Sequence, residues 1–292
     1  MLEQHPSQCN IIPLPDSIRA DSKAFVEFCD GLRENNYDLV VDLQGNARSW
    51  VVRRRIAKDY VKIRKETLRR LALIKLGVGK RRCSDIRRRF LRPLCRVGID
   101  FRKDDDFPPT QLGYTGEELD AAREKFLSNF SDADLKHLVA IHPGSKWPLK
   151  QWSIEKFAQL IRELPKRGYK LLLLGEEFEI EPDNNIAYAF RTSLRELIAL
   201  IASSAAFIGN DSGPLHIAEA VRTPAVGIFG PTHPALGYAP TGPGAKVLGV
   251  ELKCRPCTLY GDNRCRLPEQ LCMERISVDM VADAVDELVG EV

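Results

Sequence analysis

The stretch AAFIGNDSGPLHIAEAV, Ala205 to Val221, changes character at Gly209. Apolar residues lead into Asn210, Asp211, Ser212, Gly213 and Pro214, and apolar residues at helical spacing follow. A loop that leaves the carboxyl end of a strand and enters a helix offers unpaired backbone N–H groups and the positive end of the helix dipole, which suits an anion. Gly213 lets a ligand come close to the backbone, and Pro214 falls in the first helical turn, where a missing N–H costs nothing. Ser212 can cap the helix or donate to a phosphate, and His216, one turn in, adds a second donor. Asp211 would repel a phosphate, so it is expected to accept from sugar hydroxyls or to brace the loop. The alternative is a capped helix start with no ligand.

A second loop, PGSKWPLKQW, follows the apolar run Val139–His142 and carries Ser145, Lys146 and Lys150. Two lysines and a hydroxyl could neutralise a diphosphate. The competing reading is a proline-kinked loop with surface lysines, in which Trp147 or Trp152 plugs the core. The strand Lys170–Gly175 ends in Glu176 and Glu177, and a carboxylate there can accept both hydroxyls of a ribose. Four cysteines come late, as Cys254-x2-Cys257-x7-Cys265-x6-Cys272. The first pair has zinc-knuckle spacing and the second is looser, so a structural zinc site, reduced thiols and disulfides all stay open. In each case the cluster is a fold staple and not a catalytic centre.

These residues need strand ends to hold them, and the patterning supplies them. VAIHPG and KLLLLG read as strands, and the all-apolar second one suits the interior of a parallel sheet. Ser153 is placed to cap a helix with Ile154, Phe157, Leu160, Ile161 and Leu164 facing inward. Ser193 and Glu196 form a capping box that opens LRELIALIASS. AAFIGN, GPLHIAEAV and AVGIFG then give strand, helix and strand, and Ser277 caps a last helix carrying Val278, Val281, Val285 and Leu288. This half is a doubly wound α/β domain, whose sheets bind ligands at the carboxyl ends of their strands.

The first half predicts a strand at Asn10–Leu14, a helix near Ser22–Asn35 burying Phe25, Val26, Phe28, Cys29 and Leu32, and a strand at Asp38–Gly45. Those elements would make a parallel crossover unit. A basic, helical segment interrupted at Gly77 and Gly79 comes next, then a charged loop from Asp100 to Thr115 and a polar helix near Gly116–Asn129. The domain boundary is expected at Ser131–Lys136, separating residues 1–132 from 133–292.

With 292 residues, 44% of them hydrophobic and 28% charged, the chain suits two soluble domains. No run of about 18 apolar residues offers a membrane span, and LEQHPSQCN after Met1 is no secretory signal. A cytoplasmic location follows, with the eight cysteines reduced or metal-bound. The net charge of +3 hides an asymmetry: Arg48–Arg92 holds 18 Lys and Arg against three acids. Its net +15 leaves −12 for the rest. A segment this basic is either a solvated face or a site for an anion, such as an anionic membrane surface or a phosphorylated acceptor lying in it. No aromatic platform or DNA-reading motif accompanies the charge, so nucleic acid is not the expected partner.

Four motifs in one order carry a resemblance: YDLVVDLQGNARS, IHPGSKWPLKQWSIEKFAQLI, GNDSGPLHIAEAVRTPAVGIFGPTHP and the late C-x-x-C…CM element. From about residue 10 to the end, the chain resembles the lipopolysaccharide heptosyltransferases of glycosyltransferase family nine. The resemblance implies an α/β fold of GT-B type, with two Rossmann-like, doubly wound domains facing across a cleft. It also implies inverting transfer of a sugar, typically heptose from ADP-heptose, to a lipid-linked oligosaccharide at the inner face of the cytoplasmic membrane, with no cofactor needed for catalysis. On this basis Asp211, Ser212, Gly213, Leu215 and His216 hold the diphosphate and sugar. Ser145 and Lys150 contact phosphates, Lys146 accompanies them, Glu177 takes the ribose and Thr192 lies by the base.

Three departures stand out. The family opens with a strand, a glycine-containing loop and a further strand–helix pair before the point where this sequence starts, and that opening carries the acid thought to activate the acceptor. The first domain is therefore expected to be incomplete and the catalytic base unknown, leaving a nucleotide-sugar-binding homologue with impaired turnover as the alternative. Phe178–Arg191 is short and is expected to lack most of a helix. FGPTHP has His233 where the family commonly has an aspartate.

Overall fold

The structure, a computed structural model, describes residues 10–77, 82–99, 109–177 and 183–290. It divides into two compact units. One is built from described residues of Asn10–Arg69 and Cys83–Pro108, the other from those of Arg70–Arg82 and Pro109–Val292.

In the amino-terminal unit, α1 (Asp16–Ala20) and α2 (Ser22–Arg33) precede β1 (Leu39–Asp42), α3 (Ala47–Ile56), β2 (Asp59–Lys62), α4 (Thr67–Leu76, which runs past the division at Arg70) and α5 (Ile86–Leu91). Asp21 caps α2 by accepting from the backbone N–H groups of Lys23 and Ala24, and α2 buries Phe25 and Cys29 as its spacing predicts. The expected strand at Asn10–Leu14 is absent, because Pro13 and Pro15 lack the N–H groups a ladder needs. The parallel pair is β1 with β2, in register Leu39 opposite Asp59 and Asp42 opposite Lys62. The crossover is thus β1–α3–β2, and it lies partly inside the basic segment, where a continuous helical reading hid the strand DYVK.

Basic residues inside that segment are not all solvated. Arg53 is buried and its Nη1 lies 2.5 Å from Asp42 Oδ2, at the end of β1. Arg70 and Arg89 are also buried, while Arg55 makes two hydrogen bonds to Asp30. The expected break at Gly79 and most of the expected loop from Asp100 lie outside the described residues.

The carboxyl-terminal unit contains α6 (Gly116–Phe126), α7 (Asp132–Leu135), β3 (Leu138–His142), α8 (Ile154–Glu163), β4 (Lys170–Gly175), β5 (Ile186–Phe190), α9 (Leu194–Ala202) and β6 (Ala206–Asn210). It continues with α10 (Gly213–Val221), β7 (Ala225–Ile228), β8 (Ala245–Leu248), α11 (Leu271–Glu274) and α12 (Val278–Val289). Its six strands are all parallel, in the order β5-β4-β3-β6-β7-β8. Alternation along each strand sends side chains to both faces. Val139, Ile141, Leu171, Leu173 and Ile208 meet Phe157 and Leu160 of α8 and Val281 and Val285 of α12 on one side. Leu138, Ala140, Leu172, Leu174 and Phe207 meet Ile198 and Leu200 of α9 and Leu215 of α10 on the other. Each such fully buried Val, Leu, Ile or Phe side chain contributes roughly 1.5–3 kcal/mol.

The caps form as expected: Ser153 accepts from Lys156 N, Ser277 from Met280 N, and Ser193 with Glu196 makes a reciprocal box. Ile154, expected inward, is instead 46% exposed at the first turn of α8. The division also falls earlier than residue 132. Helix α6 belongs with the second unit because Ala122 and Leu127 share a core with Ile198 and Leu200, and Arg195 pairs with Glu118. Strands β5 and β8 carry no strong sequence signal, and β5 occupies part of the short stretch expected to lack most of a helix.

Candidate functional site

Three loops at the carboxyl ends of β3, β4 and β6 meet around a cavity of about 770 Å³. Asn210, the last residue of β6 and fully buried, ties two of them together: its Oδ1 accepts from Trp152 N at 3.0 Å and its Nδ2 donates to Pro143 O at 2.5 Å. Trp152 is the tryptophan that plugs the core, donating Nε1–H to Ile276 O, whereas Trp147 lines the cavity. Gln151 holds the loop's turn by donating to Ser145 O at 2.7 Å.

Ser145, Lys146, Lys150, Glu177, Asp211, Ser212 and Gly213 all line this cavity. Lys150 Nζ lies 2.8 Å from Asp211 Oδ2, with both side chains nearly buried, so the carboxylate that would repel a phosphate is already neutralised. Ser212 stands at the N-cap of α10 but makes no capping bond, and its buried Oγ has no hydrogen-bond partner. The hydroxyl is therefore not spent on capping the helix. A Cβ built on Gly213 would meet nothing within 4 Å. The fold itself does not need glycine there; the open space belongs to the cavity.

An adjoining smaller cavity, about 210 Å³, is lined by Lys150, Asp211, Ser212, Gly213 and His216, and by Thr232, His233, Tyr238 and Tyr260. Two expected residues lie elsewhere. Leu215 is fully buried beneath Gly227 in the core, so its side chain lines neither cavity. Thr192, half-buried just ahead of α9, is absent from both linings.

Sequence reasoning missed several members of the site. Thr232 Oγ1 donates to Asp211 Oδ2 at 2.7 Å, fixing the carboxylate from the side opposite its own loop. The loop Phe229–Thr232 is in turn held by Arg255, a buried guanidinium that donates to the carbonyls of Phe229, Gly230, Thr232 and Val250. His142 fills the slot between the loops after β3 and β4. A Cβ on Gly144 would come 2.9 Å from its Cε1, and one on Gly175, at φ +105°, 3.1 Å from its Nε2. Burial holds the pKa of His142 below the ordinary histidine value, so the ring is neutral at pH 7. The glycines after each apolar run were the available signal for this slot.

His233, where an aspartate is common, still serves as a cap: its Nδ1 accepts from Ala235 N at 3.0 Å. Burial, together with the charge of Arg255, lowers its pKa, which places the proton on Nε2, facing Glu251. Asp42, in the other unit, is no free base. Burial alone would raise its pKa, but hydrogen bonds from Gly45, Ser49, Arg53 and Gln44 outweigh it and hold the carboxyl below the usual range.

The four late cysteines do not form the staple expected of them. None is in a disulfide; Cys254 is exposed and Cys272 buried. Among the described residues no three His, Cys, Asp or Glu side chains are grouped to hold a metal ion. Burial, and then the neighbouring thiols, raise the pKa of Cys257; burial also raises that of Cys272, against the charge of Arg255. Other contacts secure the segment: Arg255 as above, the donation from Leu149 N to Asp262 O, and Trp147 packed where any side chain at Gly261 would sit. This anchoring also carries Tyr260 to the edge of both cavities.

The sheet and the strand-end site place the chain in a known class. Over 99% of its own length it matches the solved E. coli ADP-heptose lipopolysaccharide heptosyltransferase II at a TM-score of 0.69 and 21% identity, covering 85% of that chain. It matches an E. coli heptosyltransferase solved with ADP at a TM-score of 0.60 and 19% identity, over 98% of this chain and 85% of the other. The fold is α/β, of GT-B type. The family model for glycosyltransferase family 9 (heptosyltransferase) covers residues 26–265, and the chain belongs to that family. Lipopolysaccharide heptosyltransferase 3 of E. coli K12 is 31% identical over 232 residues, which are 69% of this chain and 61% of that protein. Against heptosyltransferases 2 of Salmonella typhimurium and Haemophilus influenzae, the match spans 41 and 46% of the relative's length. Among the described residues no helix is long and apolar enough to cross a membrane.

Proposed function

We propose that this chain is a glycosyltransferase that moves a heptose, with inversion, from an ADP-sugar to an anionic lipid-linked glycan at the inner face of the cytoplasmic membrane. One observation carries the reading: Lys150, the unpartnered Ser212 hydroxyl and the amino end of α10 converge on one cavity, beside a strand-end carboxylate at Glu177. A diphosphate there would accept from Ser212 Oγ and the free N–H groups of α10 and would share the Lys150 ammonium with Asp211. Glu177 would accept from a ribose, and His216, in the smaller cavity, would donate to the sugar or the phosphate next to it. Family membership and a relative solved with ADP support the choice of nucleotide. In this reading the charge of the leaving diphosphate is stabilised by protein donors, with no cofactor.

Isothermal titration with ADP, followed by a transfer assay with ADP-heptose, tests it. ADP binding that weakens in Lys150→Ala supports the site, and turnover separates a transferase from a protein that only binds the nucleotide. Absence of ADP binding by the intact chain would overturn the reading.

A further inference from the structure

The two cavities of the carboxyl-terminal unit share a wall residue that phosphate binding does not explain. Tyr260 lines both, together with Lys150, Asp211, Ser212 and Gly213. A single exposed ring means little on its own. The backbone beneath this one, however, is closely held. Thr258 Oγ1 donates to Gly261 O at 2.8 Å and accepts from Gly261 N at 3.2 Å, which closes a tight turn around Tyr260. Gly261 sits at φ +129°, and a Cβ there would overlap the indole of Trp147. Leu149 N donates to Asp262 O at 3.2 Å. The turn is thus fastened to the loop that carries Lys150, while Tyr260 itself stays 58% exposed. A ring on a fixed backbone loses little conformational freedom when a ligand settles on it.

The smaller cavity, about 210 Å³, has room for one sugar ring and not for a whole nucleotide, which needs a pocket of roughly 300 Å³ or more. Its lining combines groups that can hold hydroxyls, among them Asp211, His216 and Thr232, with the rings of Tyr238 and Tyr260, whose centroids lie 6.4 Å apart. A pyranose has the same two characters, with hydroxyls round its rim and C–H groups across its faces. An aromatic ring laid against one face takes those C–H groups out of water, and their slightly positive hydrogens meet the negative π face. Lys150 borders both cavities, so a diphosphate held there can extend its sugar into the smaller one.

We infer that Tyr260 is a specificity residue for the donor's sugar, its ring covering the apolar face of that sugar in the smaller cavity. The inference rests on the function proposed above and adds to it the part played by the cysteine-bearing segment: that segment is folded onto the phosphate loop so as to supply this ring.

Tyr260→Phe keeps the ring and Tyr260→Ala removes it, at an exposed position where the fold should tolerate both. Each variant of the full chain is titrated calorimetrically with ADP and with ADP-heptose. Tyr260→Phe should bind both ligands within about twofold of the parent. Tyr260→Ala should bind ADP-heptose about fivefold more weakly than Tyr260→Phe does, the loss expected when roughly 40 Å² of apolar contact is removed, and ADP less than twofold more weakly. Equal weakening for the two ligands would set the ring against the nucleotide and overturn the inference. So would unchanged binding of ADP-heptose by Tyr260→Ala, or a loss in Tyr260→Phe as large as in Tyr260→Ala, which would assign the effect to the hydroxyl. Failure of the parent chain to bind ADP would overturn the proposed function and this inference with it. ADP binding by the parent, without the split between ligands in Tyr260→Ala, would overturn this inference alone.

Discussion

Lys150 Nζ and Thr232 Oγ1 meet on a single oxygen: Asp211 Oδ2 lies 2.8 Å from the first and 2.7 Å from the second. In the proposed site the two contacts would have different fates on binding of an anion. The ammonium has further protons to share with a phosphate, while the threonine keeps the carboxylate from following it.

Loss of the Ser212 hydroxyl removes one neutral hydrogen bond, and loss of the Lys150 ammonium removes a charge-assisted one. Ser212→Ala is expected to weaken ADP binding by about 1 kcal/mol and Lys150→Ala by roughly 1.5–3 kcal/mol. Calorimetric titration of both variants checks the ranking. Equal and negligible losses would mean that the phosphates lie elsewhere.

Gly213 faces open space, so Gly213→Ala should fold normally and melt within about 0.5 kcal/mol of the parent, as other strain-free surface changes do. Its methyl group stands where a bound diphosphate would approach the backbone. ADP affinity should therefore drop while stability holds. A parallel loss of both would make the glycine a folding requirement instead.

Thr232 is a positioning residue. Thr232→Val keeps the shape but leaves Asp211 short of a donor, and a weakening of ADP binding by about 1 kcal/mol is expected. Thr232→Ser restores the hydroxyl and should restore affinity. If serine and valine behave alike, the hydroxyl does not position Asp211.

Within the basic segment two adjacent arginines should behave oppositely. Arg53→Glu breaks a buried pair with Asp42 and should cost about 3–5 kcal/mol of stability. Arg54 is exposed, with its guanidinium 5.6 Å from the Trp50 ring, and Arg54→Glu should be nearly neutral thermally. A test of attachment to anionic vesicles therefore belongs on Arg54 and not on Arg53. Similar melting temperatures for the two variants would contradict the buried pair.

Glu196 should report on acid stability. Hydrogen bonds from Lys125 Nζ at 2.6 Å and from the Ser193 backbone and side chain lower its pKa to about 2. A folded-state pKa below the unfolded value of about 4.3 means that its contribution is complete above that pH. It is lost as pH falls toward 2. The melting-temperature gap between the parent and Glu196→Gln should be widest near neutral pH and should close across that window. A gap independent of pH would remove the ionised carboxylate from the account.

The sequence by itself determined the second sheet's interior strands, the capped helices between them and most of the cleft. Runs such as KLLLLG and AAFIG are buried on both faces, and Ser153, Ser193 and Ser277 satisfy N–H groups only a few residues away. Signals this local survive in one dimension. Seven of the ten expected ligand residues, Ser145, Lys146, Lys150, Glu177, Asp211, Ser212 and Gly213, fall on one cavity because parallel strands bring their carboxyl ends to one edge, and His216 joins the smaller cavity beside it.

Tertiary structure alone decided the rest. Strand DYVK sits inside a run of lysines and arginines, and only pairing with Leu39–Asp42 makes it a strand. Leu215 reads as part of the binding motif but turns to the core, since the helix phase at α10 is set by what packs beneath it. Thr232, Arg255 and Tyr260 lie 21, 44 and 49 positions beyond Asp211 and join its surroundings only when the sheet and the cysteine-bearing segment close around them. Hydrogen bonds between residues so far apart leave no periodic trace, because each depends on where a folded loop comes to rest and not on the spacing of its neighbours.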